Sequence, residues 1–69
     1  MGVNLIPNPA HLAVQIVKQE GGQFERNKLL LAMIIYLPTD GASQLAEEGI
    51  KQAIDDKHLH YIGGDQLAI

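Results

Sequence analysis

The chain has 69 residues, 46% of them hydrophobic and 19% charged, with no cysteine and a formal net charge of −3. That length suits one small domain, which buries only about 60% of the surface its unfolded form exposes, while the apolar share excludes a disordered chain. The missing cysteines exclude disulfides and thiolate zinc sites, and the acidic balance argues against a dedicated nucleic-acid binder, which carries a basic face.

The first residues lack the basic start and long apolar run of a secretory signal. Ile6 stands where a myristoylation signal needs Ser or Thr. The longest apolar run, Leu29 to Leu37, falls far short of the ~20 residues that cross a bilayer. A soluble cytoplasmic protein with no membrane contact is expected.

Val3–Ile6 has the composition of a short extended segment closed by Pro7, a candidate third strand. Asn8-Pro9 then starts a helix, with Asn8 as N-cap and Pro9 at the first helical position, where its missing N–H costs nothing. Ala10, Ala13, Val14 and Val17 recur at helical spacing, and Gly21-Gly22 supplies a left-handed stop. This predicts a helix over Pro9–Glu20. Phe24 to Lys28 is polar apart from its ring. For Leu29–Leu37 periodicity does not separate helix from buried strand, but the Leu, Ala and Met content favours a helix, begun by Arg26-Asn27-Lys28 and stopped by Pro38.

Pro38-Thr39-Asp40-Gly41 is turn chemistry, and Asp40 or Ser43 is the expected cap of a third helix over Gln44–Asp56. Its apolar stripe is Ala46, Ile50, Ala53 and Ile54. Gly49 in mid-helix costs up to ~1 kcal/mol of propensity and marks a close helix–helix approach. At the end of the chain Leu59, Tyr61, Leu67 and Ile69 alternate about a glycine turn, the period of a half-buried hairpin. Setting Tyr61 opposite Leu67 and Leu59 opposite Ile69 pairs Ile62 with Gln66 and leaves Gly63-Gly64-Asp65 as the loop. A one-residue slip would break the shared apolar face. Tyr61 is expected to pack over the helices, with His58 and His60 on the wet face.

The order of helices and hairpin is carried at the back of the chain by Ile50 to Leu67, with Gly63 and Gly64 in the turn. It resembles the winged helix-turn-helix superfamily, in which a third helix runs into a strand, a glycine-bearing wing and a closing strand. The expected fold is a single α+β domain over residues 1–69, three helices followed by a C-terminal β-hairpin. The resemblance implies a contact surface at Ser43, Gln44, Glu47, Glu48, Lys51 and Gln52 on the third helix and at Gly63, Gly64 and Asp65 on the wing, and in that family the target is DNA.

The charges here depart from a DNA binder. Affinity for phosphate rests on Lys and Arg, yet Glu47 and Glu48 flank Lys51, and the wing tip offers Asp65. Gln44 and Gln52 have the groups to read adenine edges, but glutamine is equally an ordinary solvated helix residue. A small regulatory or adaptor module that contacts proteins is the expected function, and a dimeric DNA-binding transcriptional regulator is the alternative.

A second copy is among the expected partners. A helix apolar on every face is hard to cover in so small a chain, so an exposed stripe of Leu30, Met33 and Leu37 is expected to form a homodimer interface. His58 and His60, alternate on a strand with Asp55 and Asp56 nearby, are the one metal-like pair. A structural zinc site needs four ligands, so two solvated histidines are the expectation, with no cofactor. With no phosphate loop and no nucleophile turn, no enzymatic activity is expected.

Overall fold

A computed structural model describes residues 8–37 and 40–69. Three helices and a three-stranded antiparallel sheet follow in the order α1 (Pro9–Gln19), β1 (Gln23–Glu25), α2 (Arg26–Tyr36), α3 (Ala42–Asp55), β2 (His60–Gly63) and β3 (Gln66–Ala68). The fold is α+β, with a C-terminal hairpin closing a helical front part.

The ends of α1 form as its sequence demands. The Asn8 Oδ1 accepts from the backbone N–H groups of Ala10 (2.9 Å) and His11 (3.2 Å), two donors that the first turn leaves unpaired. At the other end the Gly22 N–H reaches the Val17 carbonyl and the Gly21 N–H the Lys18 carbonyl. That Schellman pair needs a left-handed residue, and Gly21 supplies it with φ +91°.

The reversal after Gly22 delivers Gln23–Glu25 to the sheet, where β1 pairs with β3 and not with the hairpin's first strand. The sheet order is β1-β3-β2. This third strand was not foreseen, since its pairing partner lies some forty residues away and only Phe24 is apolar. The extended segment expected at Val3–Ile6 lies outside the described residues. Leu67 on the central strand has Phe24 and Tyr61 as its two cross-strand partners. These three residues form a row across the sheet.

α3 starts differently from expectation. Its N-cap is Gly41, left-handed at φ +74°, and neither Asp40 nor Ser43 caps it; no side chain bonds there. Ala42, Ala46, Gly49, Ile50 and Ala53 are its buried stripe. They meet Ala13, Ile16 and Val17 of α1 and Leu29, Met33 and Leu37 from the α2 region in one core that also holds Leu59 and Leu67. Gly49 lies so close to Pro9 that the expected tight helix approach is present.

The exit of α3 repeats the Schellman geometry with a residue ill suited to it. The His58 N–H bonds the Ala53 carbonyl (2.9 Å) and the Lys57 N–H the Ile54 carbonyl (3.0 Å). The left-handed position is Lys57, φ +65°, the one non-glycine residue with positive φ among those described. A side chain there costs of order 1 kcal/mol. Lys57→Gly is therefore expected to stabilise the domain by about 0.5–1 kcal/mol. Urea titration would read this as a raised midpoint, whereas a lowered midpoint would show that the lysine stem packs usefully.

The hairpin keeps the expected Tyr61–Leu67 pair but closes otherwise. Gly63 pairs with Gln66, and the register shifts between Tyr61 and Gly63. Ile62 is the extra residue of a bulge, not the partner of Gln66, and the loop is two residues, Gly64-Asp65. Gly64 at φ +53° turns the chain. The ladder ends at His60–Ala68, so Leu59 does not face Ile69. Leu59 is buried at 1% exposure and its N–H bonds the Ala53 carbonyl at the end of α3, while Ile69 is 49% exposed. Tyr61 is 48% exposed and not packed beneath the helices, because β2 is an edge strand.

Candidate partner-binding face

α3 presents its polar side to solvent. Ser43, Gln44, Glu47, Glu48, Lys51 and Gln52 are all exposed, as is Asp65 at the hairpin turn. The 3.6-residue period divides the helical set. Gln44, Glu47, Glu48 and Lys51 share an open groove of about 490 Å³ with Arg26 at the start of α2 and Tyr61 on β2. Ile50 and Ile54 also line it, and Asp55 stands one turn beyond Lys51. Gln52 instead faces a second groove of about 640 Å³ between α1 and α3, which Glu48 also lines. Ser43 and Asp65 line neither of these two grooves.

Charge on this surface is mixed but leans acidic. The exposed part of α3 and its cap carry Glu47, Glu48, Asp55 and Asp56 against Lys51 alone, with Arg26 the other base at the groove. The two glutamines are engaged within the helix. The Gln44 side-chain amide donates to Glu48 Oε2 at 3.4 Å, and that of Gln52 donates to Asp56 Oδ2 at 3.2 Å. A glutamine that reads adenine needs its amide free to donate and accept at the base edge. Each keeps its carbonyl oxygen and a second N–H, so it is the carboxylates of this face, and not these bonds, that weigh against a phosphate backbone.

Asp55 and Tyr61 were not among the residues expected at the site. Asp55 carried a legible signal, since it continues the i, i+4 row from Lys51. Arg26 and Tyr61 arrive from other elements, and only the tertiary fold joins them to α3.

The expected dimer stripe is corrected. Met33 is fully buried and Leu37 is 7% exposed, both within the core, and Leu30 is partly buried against it. The stripe that α2 leaves in solvent is Leu31 (65%), Ile35 (80%) and Tyr36 (60%). On a helix apolar all round, the face turned inward is chosen by what packs against it, and α1 and α3 take the Leu29–Met33 side.

His58 and His60 are both exposed. Among the described residues no group of three or more His, Cys, Asp or Glu is placed to hold a metal ion, and no helix is long and apolar enough to cross a membrane. No family model, curated protein or solved structure matches the chain.

Proposed function

We propose that this chain is a small, non-enzymatic regulatory or adaptor module of the cytoplasm, with a winged helix-like scaffold that contacts a protein partner through α3. The order of the elements supports the scaffold: helix, short strand, two helices, then a hairpin whose last strand takes the centre of the sheet. The observation that carries the choice of target is the carboxylate-rich outer face of α3, where Glu47, Glu48 and Asp55 stand against Lys51.

A duplex laid along that face would bring its phosphates past Glu47, Glu48 and Asp55. Like charges there oppose binding in every register, and Lys51 and Arg26 supply few phosphate contacts in return. A protein segment suits the surface better. Its basic side chains would meet the carboxylates, and an apolar side chain would rest on Ile54 and Tyr61 in the groove beside them.

Fluorescence anisotropy with a pool of random-sequence duplexes at near-physiological salt tests the choice. The expected result is no saturable binding, with Lys51→Glu indistinguishable from the parent chain. Salt-sensitive, sequence-selective binding that Lys51→Glu abolishes would replace this reading with a DNA-binding regulator.

A further inference from the structure

We infer that the partner segment received by α3 is a helix whose charges run basic, acidic, basic at i, i+4 and i+8, opposite Glu47, Lys51 and Asp55 in turn. This deepens, and rests on, the reading of α3 as a protein-binding face. Those three exposed side chains stand at successive i+4 positions, and all line the groove to which Tyr61 contributes. Their charges alternate, negative, positive, negative, at steps of about 6 Å over about 12 Å of helix.

The neighbouring row of α3 differs. Gln44 bonds Glu48 and Gln52 bonds Asp56, so its carboxylates already have donors from the same helix. Glu47, Lys51 and Asp55 belong to neither bond. On their other flank lie the buried Ile50 and the half-buried Ile54, with Tyr61 in the same groove. A partner that follows the charged row therefore sets its adjoining side against an apolar rail. One apolar row beside one charged row is how an amphipathic helix is held in a groove.

Charge order selects the occupant. A partner helix repeats its i, i+4 and i+8 positions at the spacing of α3, so three charges stay in step along the row. A wholly basic segment gains at Glu47 and Asp55 but meets Lys51 in the middle. A second copy of α3 matches poorly. Set antiparallel about Lys51, it places like against like at all three positions. Shifted by one turn, it pairs two charges and leaves the third without a partner. Each exposed pair contributes little alone, so the order governs specificity more than strength.

Two helical peptides of identical composition test this against the full chain, with circular dichroism on every variant. Both are stapled on the far side to equal helicity and carry the same leucine on the adjoining row. One has Lys, Glu, Lys at i, i+4 and i+8; the other has Lys, Lys, Glu. Fluorescence anisotropy at near-physiological salt is expected to show saturable binding of the first, about three- to tenfold tighter than the second. The double variant Glu47→Lys, Lys51→Glu keeps the net charge and turns the row to positive, negative, negative, so its preference should reverse. Should that variant lose its fold, the parent chain's preference between the two peptides decides alone. Equal binding of both peptides by the parent, or a folded double variant that keeps the parent's preference, would overturn the charge order and leave the protein-binding reading standing. No saturable binding of either peptide would overturn both.

Discussion

Leu67→Ala is expected to cost roughly 3–4 kcal/mol, the largest loss of any single truncation in the sheet. Leu67 is fully buried on the central strand, between Phe24 and Tyr61 across the ladder, and it belongs to the same core as Leu29, Met33 and Ile50. Its removal forfeits the transfer free energy of the side chain and leaves a cavity that the packed core around it fills only in part. A domain of this size has a total stability of only about 3–10 kcal/mol, so the variant should be largely unfolded at modest urea. Tyr61→Ala should cost markedly less, because nearly half of that side chain is already in water. His60→Ala, exposed beside it, should lie within about 0.5 kcal/mol of the parent. Urea midpoints in the order Leu67→Ala, Tyr61→Ala, His60→Ala, from lowest to highest, are the expected pattern. Equal midpoints for Leu67→Ala and His60→Ala would contradict the sheet register.

The second large effect runs against helix propensity. Replacing an interior helical glycine with alanine ordinarily gains up to ~1 kcal/mol, yet Gly49→Ala is expected to destabilise. A Cβ at Gly49 would lie 2.5 Å from the Pro9 Cβ, 2.6 Å from the Pro9 carbonyl carbon and 2.8 Å from its oxygen. Two of those atoms are backbone, held by the Asn8 cap at the start of α1, so they cannot swing aside as a side chain would. α1 must move off α3, loosening the core that Ala13 and Val17 share with Ala46 and Ala53. Overpacking of this kind costs about 1–3 kcal/mol beyond the propensity gained. The net loss should lower the melting temperature by roughly 5–15 °C. A raised melting temperature would show that α1 and α3 are further apart than described.

Much of this architecture is written locally. Asn8-Pro9 and Gly21-Gly22 bracket α1 because caps are satisfied by neighbours in sequence, and Tyr61 opposite Leu67 follows from alternation about a glycine turn. What was not legible depends on distant partners. β1 is three residues long and exists because β3 returns to pair with it. The bulge at Ile62 conserves the Tyr61–Leu67 pair while shortening the loop, a choice that alternation alone does not make. Lys57 adopts the left-handed conformation because the chain must turn from α3 into the hairpin there, and no glycine advertised it. The facing of α2 was the plainest miss, since Leu30, Met33 and Leu37 were as apolar as Leu31 and Ile35, and only packing tells them apart.

The same division holds for the α3 face. Of the contact positions that the winged-helix resemblance implied, Gln44, Glu47, Glu48 and Lys51 lie along one groove, while Ser43, Gln52 and Asp65 do not line it. Arg26 and Tyr61 complete that groove from two other elements, and the part that Tyr61 adds beside Ile50 and Ile54 was hidden from a linear reading. The consequence is a surface with specific shape as well as charge.

The most direct test of that surface is an amide-shift titration by heteronuclear NMR, adding a lysine- and arginine-rich peptide that carries one large apolar residue. Saturable shifts confined to Gln44–Asp55 together with Arg26 and Tyr61, reduced in the variant Glu47→Gln, Glu48→Gln, are the expected result. No saturable shift at those residues, or the same residues responding to duplex DNA instead, would contradict it.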